Sequence, residues 1–258
     1  PEMGYQFLGH WKERPGNQCI EPDLLAAYLE RQGYSGVLIK LAIKKLQDAT
    51  VVGHGVSLYD ANRTVYGLLR YGIKVREAEG EMFQTVRPIN WNPDELDQND
   101  FAVAEEVTVD GKSPGAHEKR PDLVLYVNGI ALGILELKRS TVSLSQGIRQ
   151  NLDNQRPEFI EPFFATMQLV MAGNDSEGLA YGTIETPEKY YLKWKETDDS
   201  APEGLNPLDL GIYQICRPER LLELIHDFTV FDGGIKKLAR YNQYFGTKKA
   251  QDFAKRRE

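Results

Sequence analysis

Two apolar runs meet at Asn128-Gly129, and this junction constrains the chain more than any other stretch of its sequence. Leu123 to Val127 and Ile130 to Leu137 read as strands, and Asn-Gly between them is the strongest short-range hairpin signal. Runs that are apolar on both faces belong in the middle of a domain, covered on both sides. Yet Asp122, Glu136 and Lys138 stand within or beside these runs. A buried carboxylate is costly unless something pairs it. Two carboxylates and a lysine gathered at one end of a buried sheet therefore point to a divalent metal and a bound water.

Strand geometry adds a constraint. Residues i and i+2 share a face, so Glu136 and Lys138 project together. A strict two-residue turn at Asn128-Gly129 sets Asp122 opposite Leu135, with its side chain on the wrong face. Either a three-residue loop with Gly129 in the left-handed region or a bulge near Gly133 shifts the register by one and brings Asp122 to Glu136. One of these two irregularities is predicted.

A hard cation such as Mg²⁺ takes oxygen ligands and commonly only one or two carboxylates. Asp122, Glu136 and the backbone carbonyl of Leu137 supply such a set, with Lys138 placed to orient water or stabilise hydroxide. A bare Glu-x-Lys is common at sheet edges. Pro121-Asp122 one strand earlier, with apolar runs around both carboxylates, sets this one apart.

Pro121-Asp122 followed by Glu136-Leu137-Lys138 resembles the PD-(D/E)xK nucleases. The wider text KRPDLVLYVNGIALGILELKRS is similar to the N-terminal nuclease region of the restriction (motor) subunit of type I restriction-modification enzymes. The phrases NRTVYGLLRYGIKV, INWNPDELDQNDFAVAEEVTV and MAGNDSEGLAYGTIETPEKYYLKWKE extend the resemblance along nearly the whole chain. It implies catalytic Asp122, Glu136 and Lys138, Mg²⁺ as cofactor, and double-stranded DNA as substrate. It also implies methylation and specificity subunits as partners, and ATP used only through motor domains missing from this chain. Two other readings stay open: a DNA-binding or assembly module with a vestigial site, and a motor-independent repair nuclease of the same superfamily.

The 258 residues suffice for a full core. A net charge of −7 argues against a free-standing DNA binder held by a general basic field. Cys19 and Cys216 are too few for a disulfide framework, which fits buried thiols of a cytoplasmic protein. No apolar run reaches membrane-spanning length and no signal peptide is visible, so no membrane partner is expected. The chain opens on PEMGYQFLG without an initiator Met, which suggests a trimmed fragment. His10, His54, His117 and His226 lack metal-ligand spacing, and zinc is not expected.

Along the chain, Pro22 suits the first position of a helix that stops at Gly33, and Ser35 caps a second over residues 36–49. A third begins at Asp60 or Asn62 and ends at Gly72. Glu21 is either a favourable acid at a helix N-terminus or, as the resemblance implies, an accessory residue near the carboxylates. Strands are expected at 82–89, 101–109, 168–172 and 179–184, with an extended piece at 190–194. Glu105 and Glu106 are read as solvent-facing or structural, with Glu105 near the site as the other option. The loops 110–120 and 196–207 are polar and glycine-containing.

Residues 143–155 form an amphipathic helix beside the hairpin. The resembled subunits carry Gln-x-x-x-Tyr there. Gln150 fits the glutamine but Asn154 stands at the tyrosine, and Gln146 with Gln150 is the other register. Helices are expected over 218–228 and from Gly234 onward, in a linker towards the absent motor. Within it Gln243, in Arg240-Tyr241-Asn242-Gln243-Tyr244, resembles an adenine-reading glutamine of the full-length protein. Trp194 and the tyrosines are assigned to core and sheet surface, and the basic end at Lys248, Lys249 and Lys255 to Arg257 to a solvated helix face.

The expected fold is α/β (or α+β): a central mixed β-sheet flanked by helices, a restriction-endonuclease-like core with helical additions at both ends. The expected units are a helical layer over 1–72, the nuclease core over 73–195, and a loop with helical linker over 196–258.

Overall fold

The computed structural model describes residues 3–111, 115–196 and 201–256. Parts of the two expected loops, 112–114 and 197–200, and Arg257 of the basic end lie outside the described residues.

The chain begins with strand β1 (Gln6–His10), then helices α1 (Pro22–Arg31), α2 (Gly36–Ala49) and α3 (Leu58–Tyr71). Short strands β2 (Ile73–Val75) and β3 (Gln84–Val86) precede β4 (Phe101–Glu105), β5 (Leu123–Val127) and β6 (Ile130–Leu137). Helix α4 (Leu144–Asn154) leads to β7 (Leu169–Asn174) and β8 (Gly178–Gly182). Then follow α5 (Pro207–Cys216), α6 (Pro218–Asp227), β9 (Thr229–Asp232), β10 (Ile235–Leu238) and α7 (Tyr241–Lys255).

Among the described residues the main sheet holds six strands in the order β1-β4-β5-β6-β7-β8. β1 lies parallel to β4 and β6 parallel to β7, while the other neighbours are antiparallel. This mixed sheet flanked by helices is consistent with a restriction-endonuclease-like fold. The parallel step from β6 to β7 needs a crossover, and α4 provides it, packing on β7 and β6. Every residue of β7 and β8 is buried, as is every residue of β6 except half-buried Leu137, which explains their unbroken apolar text.

The N-terminal helices follow their sequence signals. Pro22 opens α1 at its first position and the Ser35 hydroxyl accepts from Leu38 N at the start of α2. α3 starts earlier than expected, because Ser57 rather than Asp60 or Asn62 caps it and accepts from Asp60 N. Asn62 is instead fully buried and donates to the carbonyls of Phe164, Ala165 and Met167, pinning α3 to the segment before β7.

Other differences have local causes. The strand expected over 82–89 shrinks to β3, paired only with β2 in a separate ribbon, while Met82 and Phe83 are exposed. β4 stops at Glu105 because Glu106 takes a positive φ of 48°. β1, at the edge of the main sheet, was not anticipated; neither was α5 on β8. The helix expected from Gly234 begins only at Tyr241: Gly233 and Gly234, both with positive φ, turn the β9–β10 hairpin first. The piece at 190–194 contributes one isolated bridge, Leu192 to Tyr181. Trp194 is core, its ring near those of Tyr181, Tyr244 and Phe245.

Candidate active site

The hairpin turn is a strict two-residue one: Asn128 (φ 51°) and Gly129 (φ 78°) both adopt the left-handed conformation that matches strand twist. Val127 faces Ile130 and Tyr126 faces Ala131, but Leu125 faces Gly133. Leu132 is the extra residue, so the register shift comes from a bulge beside Gly133 and not from a longer turn. Beyond the bulge Leu123 faces Leu135, and Asp122, one residue outside the strand, comes to the level of Glu136. The Leu137 N–H donates to Asp122 Oδ2 at 2.7 Å across this junction.

The turn end is anchored as firmly. Asn128 is fully buried; its amide donates to Pro88 O and Asn99 Oδ1, and its Oδ1 accepts from Asp100 N. Gly129 lies against α1, where a Cβ would stand 2.6 Å from Leu24 Cβ. The hairpin is thus held at both ends, which fixes the carboxylates relative to the core.

Glu136 is 1% exposed, and burial together with the neighbouring Asp122 carboxylate pushes its pKa from 4.5 to about 8. Lys138 opposes that rise, with Nζ 3.4 Å from Glu136 Oε1. Gln150 on α4 completes the cluster: its amide donates to Glu136 Oε1 and its Oε1 accepts from Lys138 Nζ at 2.7 Å. Gln150, which both registers open on this helix include, is the amide that reaches Glu136 and Lys138. Asn154 is buried on the helix face turned away from solvent.

Glu136 Oε2 is buried with no hydrogen-bond partner, and it sits beside a second carboxylate. A divalent cation with hard oxygen ligands fits this donor set, since it satisfies the orphaned oxygen and relieves the like-charge contact. Asp122, Glu136 and Leu137 all line one depression of about 460 Å³, together with Lys138 and Gln150.

Two other candidates do not line this depression. Glu21 is buried, with its backbone N–H on Gly129 O at 2.8 Å beside the turn. Its carboxylate accepts from Arg14 Nη2 at 2.5 Å and from Gln18 N at 3.0 Å, so it ties the N-terminal segment together. Gln243 is exposed in the first turn of α7, where its Oε1 accepts from Arg240 N at 2.9 Å. Glu105 does lie near the carboxylates, in a second depression that also includes Asp122 and Lys138.

One contributor escaped the sequence reading. Gly147 lets α4 approach β7 and the exit of β6: a Cβ there would meet Ala172 Cβ at 3.1 Å and Lys138 Cγ at 3.5 Å. The available signal was a glycine three residues before Gln150, on the same helix face.

A buried glutamate, a half-buried aspartate, a lysine and a glutamine thus gather at the end of a mixed α/β sheet. Residues 1–189 match the family described as the N terminus of the type I restriction enzyme R protein, and the chain belongs to it. It is similar to the HindI type I restriction enzyme endonuclease subunit of Haemophilus influenzae, 27% identical over 74% of this chain and 19% of that protein. It is also similar to the putative MjaIXP endonuclease subunit of Methanocaldococcus jannaschii, 24% identical over 89% of this chain and 25% of the relative. A second protein of that organism, the putative MjaVIIP endonuclease subunit, is 27% identical over 70% of the chain and 17% of its own length. The chain therefore spans a quarter or less of the curated relatives it matches. Among the described residues no helix is long and apolar enough to cross a membrane.

Proposed function

We propose that this chain is the nuclease portion of a type I restriction subunit and hydrolyses phosphodiesters of double-stranded DNA with Mg²⁺. The observation that carries the reading is Glu136 Oε2, buried and unpartnered beside the Asp122 carboxylate. Asp122, Glu136 and the Leu137 carbonyl would hold the ion, which when bound supplies positive charge beside a phosphoryl oxygen and makes water more acidic. The chain's own residues do the rest. Asp122 is oriented by the Leu137 N–H and lines the depression. Lys138 is held by Gln150 and presents its ammonium to the substrate side, where it orients the attacking water and stabilises charge developing on the phosphate.

In the full-length subunit, ATP-driven translocation precedes the cut, methylation and specificity subunits choose the DNA in the cytoplasm, and Gln243 reads adenine from the start of α7. The test is plasmid cleavage by the reassembled full-length complex with ATP and Mg²⁺, comparing wild type with Asp122→Ala and Lys138→Ala. Cleavage is expected to disappear while ATP hydrolysis persists. Cutting by both variants would overturn the assignment.

A further inference from the structure

Two depressions meet at the carboxylates. One, of about 460 Å³, extends from Asp122 and Glu136 to Lys119 and Arg120. The other, of about 480 Å³, extends from Asp122 to Arg139. Asp122, Leu137 and Lys138 line both, so the two adjoin as one groove with Asp122 at the junction and Glu136 in the first depression.

Topology puts a base on each side. Arg120 lies two residues before Asp122 on the segment entering β5, and Arg139 follows Lys138 at the exit from β6. Because β5 and β6 are antiparallel, that entry and that exit share one end of the sheet. Lys119 is fixed by reciprocal backbone hydrogen bonds with Val109, and its ammonium sits 3.8 Å from the centre of the Phe159 ring. Arg139 is exposed and, among the described residues, has no ion-pair partner. Arg120 Nε stands 3.7 Å from Glu106 Oε1, too far for a hydrogen bond.

Acids also border the groove. Glu105 pairs with His10 at 3.0 Å, Glu106 faces Arg120, and Glu118 adjoins Lys119. With a net charge of −7, any polyanion must be held here by local charges and not by the field of the whole chain. A cation-binding centre with a base on either side fits a ligand whose negative charges are regularly spaced. We propose that Arg139 on one side, and Lys119 with Arg120 on the other, contact the phosphates flanking the scissile phosphate of one DNA strand. The inference rests on the nuclease reading above.

The test uses the full-length subunit in its assembled complex, with Lys119→Ala, Arg139→Ala, Arg139→Lys and Asp122→Ala, scored for cleavage rate against salt concentration and for ATP hydrolysis. Lys40→Ala, on the exposed face of α2 and outside the groove, is the charge control. Losing one charged phosphate contact is expected to slow cleavage about 10-fold or more and to flatten its salt dependence. Arg139→Lys should recover most of the rate, since an ammonium still serves as a point charge for phosphate. ATP hydrolysis and the control should match wild type. Wild-type cleavage and salt dependence in both alanine variants, with Asp122→Ala inactive, would overturn this inference alone. Cleavage surviving in Asp122→Ala would overturn the nuclease site itself. Because Arg139 is exposed, its variants keep the test open if Lys119→Ala proves unstable.

Discussion

Leu137 N–H donates to Asp122 Oδ2 at 2.7 Å, joining residues fifteen positions apart across the open end of the hairpin. The bond exists only because Leu132 bulges and moves the register by one, so a backbone irregularity near the middle of β6 sets the chemistry at its end. It also leaves Asp122 and Glu136 close enough to repel, which governs how the fold responds to pH.

Glu136 titrates near pH 8 in the folded chain against 4.5 ordinarily, because it is buried beside Asp122. Between these values the folded state holds a proton that the unfolded state has released, so stability is greatest below about pH 4.5 for this group and falls as pH rises towards 8. At about 1.4 kcal/mol per unit, the loss across that window is roughly 3–5 kcal/mol. Glu136→Gln should therefore raise the denaturation midpoint of the metal-free chain at pH 8 and flatten its pH profile. Mg²⁺ should stabilise wild type at pH 8 and have little effect on the variant. A pH profile unchanged by the substitution would remove the argument for a strained carboxylate pair.

Gly129 carries both a conformational and a steric demand. Its φ is 78°, and a Cβ would lie 2.6 Å from Leu24 Cβ and 2.9 Å from both Glu21 O and Leu25 N. Two of these atoms are backbone, so a side chain cannot rotate away to relieve the contact. Gly129→Ala should cost about 2–4 kcal/mol, combining left-handed strain with displacement of α1. Denaturant titration measures this directly, and a loss below about 0.5 kcal/mol would mean that α1 does not brace the turn.

Gly147→Ala should behave differently. The added methyl gains up to about 1 kcal/mol in helix propensity. It must also push Ala172 back from 3.1 Å and crowd the stem of Lys138. These effects oppose one another, so stability should stay within about 1 kcal/mol of wild type. Gln150 rides on the same helix, and a shift of a few tenths of an ångström loosens its bonds to Lys138 and Glu136. Cleavage by the full-length complex should fall several-fold without matching loss of stability, a split that separates positioning from folding.

What could be read from the text was local. Asn128-Gly129 specified the turn, the two-residue period required a register shift, and Pro22, Ser35 and Ser143 marked helix starts that the structure keeps. Gln150 was one of two registers on its helix because periodicity fixes a face, not which amide reaches across to β6. Gly147 went unread for the same reason: its role depends on Ala172, twenty-five residues on and on another strand. The β9–β10 hairpin was missed although Gly233-Gly234 is a turn signal, because its strands are only four residues long and the text after them returns to helix. Glu21 is legible as a helix-start acid, but its bonds to Arg14 and to Gln18 N depend on the folded N-terminal segment and could not be read from the text.

Lys236 on β10 offers the last test. It is buried and, among the described residues, has no carboxylate partner, and burial pushes its pKa well below the ordinary lysine value. Its Nζ donates to Asn62 Oδ1 at 2.8 Å, Gln168 Oε1 at 2.5 Å and Met167 O at 3.2 Å, three acceptors for the three N–H bonds of an ammonium. Asn62 in turn donates to the carbonyls of Phe164, Ala165 and Met167, so one polar knot joins α3, the entry to β7 and the β9–β10 hairpin. Lys236→Met fills much of the same volume but strands buried acceptors, and should cost about 2–4 kcal/mol. Asn62→Ala breaks the same knot from the other side. The double variant should therefore lose clearly less than the sum of the two single losses, since neither substitution has the full network left to break. Strict additivity in a double-mutant cycle would show that the hairpin is held by its apolar residues and that the lysine is incidental.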